Sequence, residues 1–414
     1  MTIRTSYKHT LAAAYIAYIA GAITNNFAPL LFLTFSTTWD IPLSRMALLI
    51  TVNFGIQLAV DLLSALFVER IGYRRLIVAA HLFLAFGLVG LGIFPRLFPS
   101  PYVGLLTSVA IYAIGGGLLE VLVSPIAEAC PTTNKEAHMS LLHSFYCWGY
   151  VLVILLSTLF FVLVGLEYWW ILACLWALVP LFNAAYFLVV PIRQLNDDVL
   201  EGEVLGVKKL LRKPAFWLFF IMMFCAGAAE QAMSQWASAF AEAGLGVSKT
   251  LGDLFGPCLF AVCMGLSRLL GARIGRVIRP TTFMAVSAGL CVISYLLAAL
   301  SSLPLLSLLG CGLCGFSVGI FWPGTFSLSA SSTALRGGGT ALFAFLALAG
   351  DLGCTGGPAL VTLASETFAG GSLKTAMLAG ILFPFILGIG LSVLIRKQKK
   401  DSTAKEKSIS DSDN

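Results

Sequence analysis

MALLITVNFGIQLAVDLLSALFV at 46–68, ERIGYRR at 69–75 and LIVAAHLFLAFGLVGLGIFP at 76–95 form two apolar runs joined by seven residues. Four of those seven, Glu69, Arg70, Arg74 and Arg75, are charged, and Gly72 sits at their centre. An α-helix of about 20 apolar residues crosses a bilayer, so each run is long enough to cross, and a seven-residue joint leaves only an antiparallel return. The stretch reads as a hairpin of two membrane helices with a charged turn at the surface.

The rest of the chain repeats this pattern. Of 414 residues, 58% are hydrophobic and 11% charged, with a mean hydropathy of +0.92. Soluble domains carry about 25% charged residues, so a soluble enzyme, a nucleic-acid binder and a disordered protein are all excluded. Apolar runs fall at 10–36, 46–68, 76–95, 102–129, 139–165 and 168–191. They resume at 214–241, 250–272, 281–300, 303–333, 339–365 and 373–395. Their even spacing leaves no room for an extramembrane domain, and the first run is too long for a signal-peptide core, so it reads as a retained helix. The ten Cys are scattered through apolar runs as small packing residues. Cys311 and Cys314 form a CxxC with no second pair or nearby His. No cofactor or metal is expected.

Basic residues set the orientation. Only Arg45, Arg96, Lys249 and Lys374 fall in loops on one side and Arg268 within a run; the remaining 21 of the 26 lie on the side of the termini. Cytoplasmic loops carry the excess of Lys and Arg, which places both termini in the cytoplasm. The longest internal loop, 193–213, divides a six-helix unit (1–192) from a second (214–396), followed by a polar tail at 397–414. The units echo each other at an offset of about 200 residues, as internal repeats do. The turn at 69–75 is matched by Gly271-Ala272-Arg273-Ile274-Gly275-Arg276, Asn25-Asn26 by Glu230-Gln231, and Pro125 by Pro323. Parallel six-helix halves are a transporter plan, with the site between the halves.

A charged side chain at the middle of a membrane helix costs about 2.5–3.5 kcal/mol on insertion scales, so it faces a cavity or a partner. Asp61, Glu120, Glu128, Glu230, Arg268 and Asp351 lie within runs. Asn53, Gln57, Asp61 and Ser64 make one helical stripe, which fits either a cavity wall or a polar seam between helices. Gly116, Glu120, Ser124 and Glu128 make a second, with Glu128 near a helix end. Glu230, Ser234 and Ser238 share a face beside Gln231, Gln235 and Trp236. Amides that donate and accept, next to an aromatic ring, suit a polyhydroxylated ligand, although Trp236 would serve equally as a packing aromatic. His143, Tyr146, Cys147 and Trp148 form a compact group; His143 suits ligand binding, proton relay or a plain interhelical bond, and His81 a structural one. Asp351, flanked by Gly350, Gly353, Gly356 and Gly357, has Arg268 as one candidate partner.

Glu69-Arg70-x-Gly72-x-Arg74-Arg75 resembles the loop signature of the major facilitator superfamily, with Glu for the usual Asp. The resemblance implies twelve helices in two pseudo-symmetric six-helix bundles, an all-α membrane fold, with Glu69, Arg70, Gly72 and Arg74 gating the cytoplasmic ends. Within that superfamily, Gly115 to Pro125, with Glu120 and Ser124, resembles helix 4 of the fucose–proton symporter family. Leu142 to Gly149, Asn25-Asn26 and Pro323 to Leu328 are similar to that family too. The resemblance implies proton coupling and sugar binding at Glu120. A second acid of that family, after the helix 1 Asn pair, is replaced here by Ala28-Pro29; Asp61 or Glu230 are candidates to supply its charge.

The sequence therefore reads as a cation-coupled importer of a small polar solute, a monosaccharide by its residue pattern, in which the halves rock about the site. Glu120, Asp61, Glu230 and Asp351 are the ion-coupling candidates. Asn26, Gln57, His143, Tyr146, Gln231, Gln235, Trp236 and Trp322 are the substrate-binding ones. The expected partners are the solute, a coupling cation and the lipid bilayer of a bacterial inner membrane, with the chain acting as a monomer. An exporter of drugs or metabolites, a sodium-coupled carrier, and a non-transporting sensor or scaffold are the alternatives.

Overall fold

A computed structural model describes residues 3–131, 135–193, 207–274, 278–335, 339–368 and 370–396. Among the described residues, twelve helices are long and apolar enough to cross a membrane. In chain order they are α1 Tyr7–Trp39, α2 Leu43–Leu63, α3 Tyr73–Leu97, α4 Pro101–Glu128, α5 Leu141–Leu163 and α6 Leu166–Val189. The second six are α7 Pro214–Ser234, α8 Lys249–Leu270, α9 Pro280–Leu300, α10 Pro304–Ala330, α11 Phe345–Thr367 and α12 Leu373–Arg396. Each apolar run of the sequence corresponds to one of them. The expected linker lies outside the described residues over 194–206, as do the tail 397–414 and positions 275–277 of the second loop signature.

Several starts and stops follow from single residues. Proline opens α4, α7, α9 and α10 at the first helical position, where its missing N–H has no intrahelical partner to lose. Gly72, with φ +91°, turns the chain between α2 and α3, a backbone conformation that favours glycine. The first helix of each half is interrupted. In α1 a 3-10 turn at Ala28–Leu31 surrounds Pro29. The run beginning with α7 breaks at Gln235 and Trp236 and resumes as Ala237–Ala239 and a π turn, Phe240–Gly244.

Large apolar side chains point outward all around the bundle, among them Leu62, Phe86, Phe182, Val286, Leu300 and Phe385, each more than half exposed. In a soluble protein this surface would aggregate; in lipid it is solvated. Between helices, small residues replace large ones because lipid gives helix pairs no hydrophobic drive and backbones must approach closely. The α7–α11 contact is the tightest example. A Cβ at Gly353 would land on the Phe224 carbonyl, one at Gly357 on the Ala228 carbonyl, and one at Gly227 on the Gly350 carbonyl.

An even number of crossings puts both chain ends on one face, termed here the terminal face. Opposite it, the far face is closed by contacts between the halves. Lys249 at the start of α8 donates to the Leu30 carbonyl of α1, and its ammonium lies 5.7 Å from the centre of the Phe161 ring of α5. Phe32 packs on Trp236 with ring centres 5.7 Å apart, and the Tyr150 hydroxyl donates to the Ser234 carbonyl at 3.3 Å. At the terminal face, the Arg74 guanidinium donates to the carbonyls of Phe187, Leu188 and Val190 at 2.7–2.9 Å. It thereby caps the end of α6, where backbone acceptors lack helical partners. Hydrogen bonds from a charged donor contribute about 1.5–3 kcal/mol each before screening. Arg74→Ala is therefore expected to lower the melting temperature in detergent by several degrees, with Arg74→Lys intermediate; an unchanged melt would show the cap to be dispensable.

Candidate transport site

Three groups of polar side chains lie between the halves. In the first, Asp61 of α2 and Glu120 of α4 meet Asp351 of α11, with one carboxylate oxygen from each residue within 4.8 Å of the others. Asp351 is buried, Asp61 half-buried and Glu120 exposed. The exposure continues down the same face of α4, through half-buried Ser124 to exposed Glu128. This exposed strip runs from Glu120 toward the terminal face. Above Glu120 the strip is shut by Gln57, whose side chain lies against Gly116. This set consists of hard oxygen donors, fit to hold protons or a small cation.

The second group is an amide cluster. Asn25 Oδ1 accepts from Asn53 Nδ2 at 3.0 Å and from Gln57 Nε2 at 3.1 Å, and Gln57 Nε2 also reaches Asn53 Oδ1 at 2.8 Å. From the other half, Gln235 Nε2 donates to the Asn25 carbonyl at 3.4 Å and to Gln231 Oε1 at 2.9 Å. Ser234 donates to Gln231 Oε1 at 3.1 Å, and Gln231 Nε2 to Glu230 Oε1 at 3.3 Å. The amides satisfy one another, and the cleft among Asn25, Asn53 and Gln235 holds no more than about one water. Any group that enters this cleft must displace these mutual bonds.

Arg268 of α8 organises the third group. Its Nη2 lies 3.7 Å from Glu230 Oε2 of α7, Nη1 donates to the His143 carbonyl of α5 at 3.4 Å, and Nε to the Gly319 carbonyl of α10 at 3.4 Å. The exposed His143 ring meets the Tyr18 hydroxyl at 3.3 Å, and Tyr18 meets Ser124 at 3.1 Å. The ion pair entertained between Arg268 and Asp351 is therefore replaced by two separate associations: Arg268 with Glu230, and Asp351 with the acids of α2 and α4.

The remaining candidates fall around these groups. Asn26 turns away from the amide cluster, donating to the Ala22 carbonyl at 2.8 Å and to Tyr146 at 3.4 Å. Trp236 is 1% exposed and donates to the Pro358 carbonyl at 3.3 Å, the packing arrangement foreseen as its alternative. Trp322 is half-buried and packs on α11 so closely that a Cβ at Gly350 would enter its ring. His81 is buried, bonded to the Ile77 carbonyl at 2.7 Å and to Asn183 at 2.8 Å. Sequence reasoning chose Asn26 over Asn25, although Asn25 is the hub. It also passed over Tyr18 and the far-face group, in which Lys249 pairs with Glu242 at 3.2 Å and Asp253 at 3.1 Å, while Ser238 donates to Asp253 at 2.6 Å. The i,i+4 spacing of Lys249 and Asp253 was a usable signal for that group.

The sequence profile of the Major Facilitator Superfamily matches residues 11–358. The chain belongs to the major facilitator superfamily. Solved structures share the fold. The E. coli fucose:proton symporter is similar at a TM-score of 0.64 and 17% identity, covering 94% of this chain and 99% of that one. The same symporter in an outward conformation gives 0.61. A bacterial homologue of the human lysosomal transporter Spinster, inward-facing and occupied, gives 0.74 at 14% identity, covering 96% of this chain and 98% of that one. In its unoccupied inward-facing form it gives 0.75. No curated protein matches. Members of the superfamily are transporters, and this one is a multi-pass membrane protein, not an enzyme. Of its loop signature, Gly72 makes the turn and Arg74 the α6 cap, Arg70 is exposed, and the Glu69 side chain lies outside the described residues.

Because Lys249 ties α8 to α1, its loss acts on the far face. In Lys249→Met, spin labels at Thr38 and Ser248, both exposed, are expected to show a new population at longer separation. An unchanged distance distribution would remove Lys249 from the closure.

Proposed function

We propose that this protein is a secondary active transporter that imports a monosaccharide together with a coupling cation, a proton, by alternating access. The observation that carries the reading is the meeting of Asp61 and Glu120 from one half with Asp351 from the other, within 4.8 Å. Two ionised carboxylates at such a distance repel by about 3–4 kcal/mol at an effective dielectric of about 20. The halves therefore approach most favourably here when the group holds protons or a cation, and emptying it favours their separation. Loading and rocking are thus linked through one site, as population shift requires. Glu120, on the exposed strip that runs toward the terminal face, is the member that exchanges its proton with solvent. Asn25, Gln57, Gln231 and Gln235 supply hydroxyl partners.

In this reading the terminal face is the cytoplasmic one, supported by the excess of Lys and Arg on that side, and the membrane is a bacterial inner membrane. The closed far face makes the state inward-facing. The higher similarity to an inward-facing neighbour than to an outward-facing one agrees with this, and one neighbour of the same fold is a fucose:proton symporter. The two six-helix units act as the rocking bodies, divided at 193–213, and a single chain suffices.

The test is uptake of a labelled monosaccharide panel into proteoliposomes, under an inward pH gradient and separately under a Na⁺ gradient. Accumulation driven by the pH gradient is the expected result. Accumulation driven only by Na⁺ would replace the proton while keeping the carboxylate group as the coupling site. No accumulation of any sugar would sink the sugar assignment.

A further inference from the structure

A guanidinium presents five N–H donors in a planar fork that matches a carboxylate. Charge-assisted N–H···O bonds are usually about 2.7–2.9 Å long. Among the described residues Arg268 makes none of that quality. Its contacts are 3.4 Å to Gly319, 3.4 Å to His143, 3.7 Å to Glu230 and 3.9 Å to the Met264 sulfur. The guanidinium lies within the helix Leu259–Ile274, and its Nε contact falls on Gly319, at the end of the helix Pro304–Val318. Its side chain is 19% accessible. Tyr18 and the exposed His143 stand beside it as further hydrogen-bonding groups. Trp148, 38% exposed, faces Gly265 one turn earlier on α8, where an added Cβ would lie 3.7 Å from its ring. A loosely held fork, polar hydrogens and an aromatic face, reached by both halves, are the parts of an anion site.

We infer that Arg268 receives a carboxylate of the transported solute, so that the cargo is an acidic sugar of the hexuronate class rather than a neutral one. The inference rests on the sugar reading for the polyhydroxylated part and goes beyond it for the acid. A neutral hydroxyl competes poorly with Glu230 for the guanidinium; a second carboxylate competes on equal terms. When the solute carboxylate takes the fork, Glu230 is left without its counter-charge and takes a proton from water, so the net charge of the group is unchanged. On release, Glu230 returns its proton and closes on Arg268 again. The 3.7 Å pair with Glu230 is the contact that the solute carboxylate would displace. Among the described residues, the other titratable groups facing this pair are Tyr18, His143, Tyr146, Cys147, Tyr150 and Cys354, with Glu120 beyond Tyr18. Apart from Glu120, none of these supplies a carboxylate in competition with the solute.

The experiment is calorimetric binding to the full chain in nanodiscs with matched pairs: D-glucuronate against D-glucose, D-galacturonate against D-galactose, and L-lactate as an acid without the sugar. At least one uronate is expected to bind about tenfold or more tightly than its hexose. Arg268→Gln is expected to erase that preference, Arg268→Lys to keep part of it, and Glu230→Gln to strengthen uronate binding because the competitor is gone. Equal or tighter binding of both hexoses would overturn the inference while leaving the sugar reading intact. Lactate binding that depends on Arg268, with no sugar or sugar acid bound, would keep the anion site and overturn the hexuronate class along with the sugar reading. Silence from every acid in the panel would overturn the inference outright. Should Arg268→Gln fail to fold, the wild-type pairs and Glu230→Gln still decide.

Discussion

Glu120→Gln is expected to abolish gradient-driven accumulation while leaving exchange of solute across the membrane. Each unit of pH difference can sustain about a tenfold concentration ratio for one proton per solute, and the variant should fall to a ratio of about one. The side chain keeps its size and its place beside Asp61 and Asp351, but it cannot take up and release a proton as a carboxylate does. It also removes one of the three charges whose repulsion links loading to rocking, so the halves close without their cation. Counterflow of labelled against unlabelled solute isolates this defect, because exchange needs rocking of the loaded form alone. Asp351→Asn and Asp61→Asn should weaken accumulation too, and combined with Glu120→Gln they should add little, as expected of members of one unit. Full accumulation by the Gln variant would move the coupling to another acid.

Gly353→Val is expected to remove most of the folded protein. The substituted Cβ would fall on the Phe224 carbonyl and close to the Ala228 nitrogen, both backbone atoms of α7, and a carbonyl within a helix cannot swing aside. Gly227 and Gly357 hold the same contact on either side, so α7 and α11 would have to part along two turns. Overpacking usually costs about 1–3 kcal/mol, and a backbone-to-backbone contact belongs at or above the top of that range. The readout is the yield of monodisperse protein on size-exclusion chromatography together with its melting temperature. Gly55→Ala serves as the control, since nothing lies within 4 Å of its added Cβ, and a helical Ala for Gly is intrinsically favourable. Normal yield of Gly353→Val would mean that the two helices are not held this closely.

The twelve crossings were legible in the sequence because run length and charge boundaries are local properties, and lipid imposes them segment by segment. So were the individual acids, since each charge inside an apolar run announces itself. Their assembly was not. Asp61 and Asp351 are 290 positions apart, and only the packing of α2 on α11 brings them together. The choice of partner for Arg268 turned on helix rotation, which places Glu230 and not Asp351 in front of it. The same holds for Asn25 and Asn26, adjacent residues about 100° apart on a helix: one faces the amides of α2, the other Tyr146 of α5. The break after Ser234 could not be read from composition, because apolar residues continue through it.

The division of the acids between the halves, two on one and one on the other, has an electrical consequence. When the bodies rock, any uncompensated charge on Asp61, Glu120 or Asp351 is displaced along the membrane field. Carrying one elementary charge across a full 100 mV drop corresponds to about 2.3 kcal/mol, so even a fractional displacement alters a rate. A carrier that returns with these acids ionised feels the voltage on that stroke, whereas one that returns with them neutralised does not. The membrane potential would then select which half of the cycle is slow.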